Sequence, residues 1–101
     1  MNTANVRFQW DDHKAALNLR KHGVDFEDAK LVFADPFAIT RQDRTEGGEL
    51  RWQTLGCVGE HMLLLVAHTC WDDEDGEVIR IISARRADRR EKRSYYDGNR
   101  D

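Results

Sequence analysis

The sequence predicts an α+β domain with the element order β-α-α-β-β-β-β-α, an antiparallel meander sheet packed with helices. Near the N-terminus, apolar residues first alternate with a period of two and then shift to helical spacing. After the one proline, Pro36, the chain reads as extended. The last four strand-like stretches are separated only by hairpin-length connections, which join antiparallel neighbours. At 101 residues this is one domain, residues 1–101 with a core over about 6–96.

Each element has a local reason. Val6, Phe8 and Trp10 alternate with Arg7 and Gln9, the signature of a half-buried strand. Asp11 or Asp12 caps a helix from His13 to His22, which "KHGV" closes with cations in the last turn and Gly23 after it. Asp25 starts a second helix, with Glu27 and Asp28 at its positive end. Phe26, Ala29, Val32 and Phe33 form its apolar stripe, and Asp35-Pro36 ends it. "FAIT" is a short strand and "RTEGGE" a turn-rich loop. In "LRWQTL", Leu50, Trp52 and Thr54 oppose Arg51, Gln53 and Leu55. Gly56 and Gly59 bracket the connection to "MLLLVAHT", whose apolar run suits a central strand covered on both faces. "DDEDG" turns the chain into a last strand, "EVIRIISA", and a closing helix runs from Ala84 to Tyr96. The helices are expected mainly on one face of the sheet.

Composition excludes several classes. With 40% hydrophobic and 35% charged residues the chain is neither disordered nor membrane-spanning, and its longest apolar run, Met62 to Ala67, is too short to cross a bilayer. "MNTANVRFQW" lacks the basic and apolar regions of a signal peptide. Cys57 and Cys70 read as free thiols of a reducing cytoplasm. Zinc-type Cys/His spacings, HExxH, a phosphate-cradling glycine loop and GxSxG are all missing, so no metal or organic cofactor is expected. His61 and His68 fall on opposite faces of one expected strand. The net charge of -3 hides a local balance of +4 between Arg85 and Arg93, and five acids lie between Asp72 and Glu77. One face can therefore bind an anion on an acidic protein.

The candidate residues follow from chemistry. Arg80 interrupts Val78-Ile79-Arg80-Ile81-Ile82 and needs a carboxylate, a phosphate or water; an internal ion pair, for instance with Glu91, competes with an anion site. Ala87, Glu91 and Tyr95 share a helix face, so Glu91 turns inward and either neutralises an arginine or acts as a general base with a raised pKa. Arg86, Arg89, Arg90 and Arg93 form either a solvated face or an anion surface. Lys21 and His22 either complement the helix dipole or hold a phosphate and exchange a proton. Arg51 and Trp52 are ordinary strand residues or a cation beside a base-stacking ring. RNA cleavage suits a protein without cofactor motifs, because the 2′-OH supplies the nucleophile.

Taken together, "FQWDDHKAALNLRKHGVDFEDAKLVFADP", "GELRWQTLG" and "VIRIISARRADRREKRSYY" resemble BrnT-type toxins of bacterial type II toxin–antitoxin systems, over roughly Phe8 to Tyr96. The resemblance implies a RelE-like fold and a metal-independent endoribonuclease that inhibits translation. It also implies a BrnA-like antitoxin with a ribbon-helix-helix domain, which neutralises the toxin in a hetero-oligomer and carries it to operator DNA. On the motif positions that match, Lys21, His22, Arg51, Arg80 and Glu91 become candidate catalytic residues, and Arg85, Arg86, Arg89 and Trp52 candidate RNA contacts. Cys70-Trp71 departs from the pattern, since family members often carry a basic residue there. Two other readings compete: a protein-binding module, inactive or aimed at a topoisomerase, and a structural partner in a repressor complex.

Overall fold

The computed structural model describes residues 5–98, so the leader expectation for the first residues lies partly outside it. The chain forms β1 (Val6–Gln9), α1 (Asp12–His22), α2 (Phe26–Ala29) with a 3-10 turn over Lys30–Ala34, β2 (Ile39–Glu46), β3 (Glu49–Val58), β4 (Met62–Asp73), β5 (Gly76–Arg86) and α3 (Arg89–Gly98). Strands β2 to β5 are the expected antiparallel meander, and β1 returns to pair in parallel with β5, giving the order β1-β5-β4-β3-β2.

The helix ends follow the sequence signals. Asp11 accepts from the Lys14 amide at 3.0 Å, and Gly23, at φ 71°, gives its amide to Leu19 at 2.8 Å. That left-handed position costs a residue with a Cβ, which is why glycine closes the helix. Asp25 caps α2 through the Glu27 amide.

Strand ends differ from expectation. "RTEGGE" is not an open loop: β2 and β3 run into a turn at Gly47-Gly48, both at positive φ. β4 extends to Asp73, so the acidic connection is a tight turn. His61 sits in the turn before β4, not on the strand. The closing helix begins at Arg89, later than the expected Ala84, because Ala84, Arg85 and Arg86 still pair with Val66, Leu65 and Leu64. Asp88 then caps α3 reciprocally: its carboxylate accepts from the Glu91 amide at 2.8 Å and Glu91 accepts from the Asp88 amide at 2.9 Å.

Two apolar clusters hold the layers. Val24, Phe26, Ala29 and Val32 pack on Leu64, Val66, Ile81 and Ala84. Ala87 and Tyr95 pack on Leu55 and Leu63. Since successive strand residues face opposite sides, α1 and α2 cover one face and α3 covers one end of the other. The rest of that second face carries no helix, and it positions the site.

Two polar ties, one buried at Asn18 and one half-buried at Asp35, fix the helices. Asn18 gives its amide to the carbonyls of Ala84 and Val24, at 2.9 and 3.1 Å, and accepts from the Ala84 amide at 3.1 Å. It satisfies β5 where β1, paired only as far as Arg80, no longer reaches. Asp35 accepts from the Cys57 and Phe37 amides, at 2.8 and 2.9 Å, and from the Tyr95 hydroxyl at 2.6 Å. Burial works against the ionised Asp35, but these donors outweigh it and hold the carboxyl below its usual range.

Candidate active site

The open face is built by alternation and one bulge. Leu63 and Leu65 of β4 point toward α3, so Ala67 and Thr69 continue the same side. Their partners on β5 are Ser83 and Arg80, and Arg85 pairs with Leu65. Between Ala67 and His68 the register slips, leaving Ile82 as an extra residue on β5. The slip keeps Arg80, Ser83 and Arg85 on one face, a grouping that strict alternation forbids. On β3, Gln53 pairs with Ala67, and Arg51 shares its side. Three arginines from two strands thus share a sheet face at the margin of α3.

Their environments differ. Arg85 gives two parallel hydrogen bonds to Glu91, each 2.9 Å, and Glu91 is thereby held well below the ordinary carboxylate range. This corrects two expectations. Glu91 neutralises Arg85, not Arg80, and with its pKa lowered it does not fit the raised-pKa general base. Arg80 is exposed and, among the described residues, forms no side-chain hydrogen bond or ion pair. It sits inside the sheet order, but α3 ends short of it, so water reaches the guanidinium. Arg51 is half-buried; its Nε is sequestered from water without a hydrogen-bond partner among the described residues, and Glu46 acts on it at longer range. The Thr69 hydroxyl, buried on the same face, also lacks a partner among the described residues. Buried polar atoms are paired in the great majority of cases, so these two orphans are exceptions beside the exposed guanidinium of Arg80, which is the group open to an incoming acceptor. Thr69 was not singled out from the sequence, because a threonine in a strand carries no signal of its own.

The other candidates are dispersed. Lys21 and His22 end α1, on the opposite layer, and make no hydrogen bond or ion pair among the described residues. Arg86 follows Arg85 and points to the other face, while Arg89 is exposed at the start of α3. Trp52 also faces away from Arg51: it pairs with His68 and lines an apolar pocket of about 630 Å³ with Phe8, Leu31, Phe33 and Ile79. Arg51 and Trp52 therefore do not form a joint cation and stacking surface. His68, in that pocket, bonds the Thr54 hydroxyl at 2.8 Å, which in turn meets Thr40 at 2.8 Å. Burial lowers its pKa to about 4, against a weak backbone contact with Thr69 that falls short of hydrogen-bond geometry. That pocket holds no arginine among its lining residues, and its one cation, Lys30, is paired with Glu27, so the arginine face is the better candidate for phosphate chemistry. Cys57 and Cys70 are free thiols. Among the described residues no helix is long and apolar enough to cross a membrane.

In sequence and in fold, this α+β domain matches a known toxin class. Residues 10–91 match the family model described as "Ribonuclease toxin, BrnT, of type II toxin-antitoxin system". The chain belongs to the BrnT family. The crystal structure of the Brucella abortus ribonuclease toxin BrnT is similar in fold, with a TM-score of 0.58 and 22% identity over 84% of this chain and 100% of that one. Among curated proteins none matches significantly.

Proposed function

We propose that the protein is a metal-independent endoribonuclease that cleaves RNA and so inhibits translation, and that a BrnA-like ribbon-helix-helix antitoxin neutralises it. The observation that carries this reading is the pair Arg51 and Arg80 on one open face, neither closing an ion pair among the described residues. Two guanidiniums there supply forked donors for the non-bridging oxygens of one phosphodiester. In the reaction, the ribose 2′-oxygen forms a bond to phosphorus and the bond to the 5′-oxygen breaks. The products are a 2′,3′-cyclic phosphate and a 5′-hydroxyl; the proton lost by the 2′-OH is balanced by one gained at the leaving oxygen. Arg51 and Arg80 stabilise the extra charge of the phosphorane, and Glu91 fixes the Arg85 fork. Lys21 and His22 end α1 on the opposite layer, so they take no part at this phosphate, and His22→Ala serves as the control for Arg80→Ala.

The antitoxin is proposed to cover the basic side of α3, where Arg89, Arg90 and Arg93 are exposed, and to bring the toxin to operator DNA. Induction of the toxin alone, in wild type and in His22→Ala and Arg80→Ala forms, tests the reading. Growth arrest with loss of RNA, relieved by Arg80→Ala, is expected. Arrest with intact RNA would favour a protein-binding target, and no arrest a structural role in the repressor complex.

A further inference from the structure

A second, smaller pocket of about 260 Å³ adjoins the arginine face. It is lined by Ile39, Arg41, Gln53, Leu55, Leu65, Arg90, Glu91 and Ser94. Drug-sized ligands take pockets of about 300–1,000 Å³, so this one suits a single heterocycle. Its aliphatic part, Ile39, Leu55 and Leu65, is flat sheet surface, while its polar groups come from both the sheet and α3. Gln53 lies two residues from Arg51 on the same face of β3, roughly 7 Å along the strand. That is the reach from a bound phosphate to the base of a neighbouring nucleotide.

We propose that this pocket is a nucleobase subsite that takes one guanine of single-stranded RNA beside the phosphate held by Arg51 and Arg80. The inference rests on the RNA reading above and adds the base that the site selects. Donors outnumber acceptors in the pocket. Arg41, whose guanidinium already reaches the Ser94 hydroxyl at 3.2 Å, and Arg90 bring only donors. Guanine offers two adjacent acceptors, O6 and N7, to such a fork, whereas adenine pairs one acceptor with a donor on the same edge. Glu91 supplies the complementary acceptor. Oε1 already takes bonds from Arg85 and the Asp88 amide and Oε2 one from Arg85, which leaves one lone pair of the carboxylate's four, on Oε2. A guanine N–H fits that position. Among the described residues Gln53 spends its amide on a single long 3.5 Å contact with Asp43, so it is available to either edge. Splayed single-stranded bases are the usual targets of RNA-reading proteins, and a base held this way fixes the phosphate next to it.

The test uses short 2′-O-methyl oligoribonucleotides, which cannot be cleaved, with one position varied through the four bases. Binding to the full-length protein is followed by fluorescence anisotropy. A preference for guanine of about tenfold is expected, the range of one good forked contact. Arg41→Lys keeps the charge and loses the fork, so the guanine-to-adenine ratio should fall toward one. Thermal melting confirms that the variant, altered at an exposed strand position, is folded. Equal affinity for all four bases, preference for another base, or a ratio unchanged in Arg41→Lys would each overturn the subsite. Failure to bind any oligonucleotide would remove the RNA reading itself, so the two failures are told apart.

Discussion

Acidification should destabilise this protein through His68 before most of its carboxylates are protonated. The imidazole is buried against Phe33, with ring centroids 4.9 Å apart, and hydrogen-bonded to the Thr54 hydroxyl. Its folded pKa, about 4, lies below the ordinary value of 6.5. Between those values the unfolded chain binds the proton and the folded one does not. Stability is therefore full above 6.5 and is lost as pH falls through that window toward 4. At about pH 5 the loss is about 2 kcal/mol, approaching about 3 kcal/mol once both states are protonated. Urea midpoints of wild type and His68→Gln, taken at about pH 7.5 and about pH 5, isolate the contribution, because the comparison is between slopes and not absolute stabilities. Wild type should lose about 2 kcal/mol more than the variant across that interval. Equal losses would refute the claim that burial keeps His68 neutral.

Other consequences test the layers. Tyr95→Phe removes the hydroxyl that ties α3 to Asp35, and should cost about 1–2 kcal/mol by chemical denaturation. Asn18→Ala leaves the Ala84 amide and carbonyl without their side-chain partner, with a loss of about 2–3 kcal/mol in the same assay and faster amide exchange at Ala84. Gly76→Ala would place a Cβ 2.3 Å from the Asn5 carbonyl at a φ of 125°. It should break the β1–β5 pairing, visible as faster amide exchange from Arg7 to Gln9, while the meander persists.

Much of this fold was legible because its signals are local. Gly23, Asp25 and Asp35-Pro36 each state a backbone requirement within a few residues. The parallel return of β1 is a long-range choice and leaves no such mark. At the site, Glu91 was readable as an inward carboxylate from its spacing with Ala87 and Tyr95. Its partner was not, because the bulge at Ile82 re-aims the end of β5 and no sequence feature announces it. The environment of Arg80 was hidden for a different reason: whether a strand arginine is buried depends on how far α3 extends over the sheet, and that is set by the cap at Asp88. Trp52 shows the opposite case. Strict alternation already placed it away from Arg51, yet adjacency in the sequence suggested a shared surface that the sheet does not allow.

The central claim is that unpaired guanidiniums on the open sheet face cleave RNA without a metal. Purified, antitoxin-free protein should be incubated with a defined single-stranded RNA in the presence of a chelator, beside Arg51→Ala and Arg80→Ala. The account predicts cleavage to 2′,3′-cyclic phosphate ends by wild type and a loss of about a hundredfold or more in either variant, with thermal melting unchanged for exposed Arg80→Ala. Intact RNA with folded wild type, or undiminished cleavage in both variants, would contradict it.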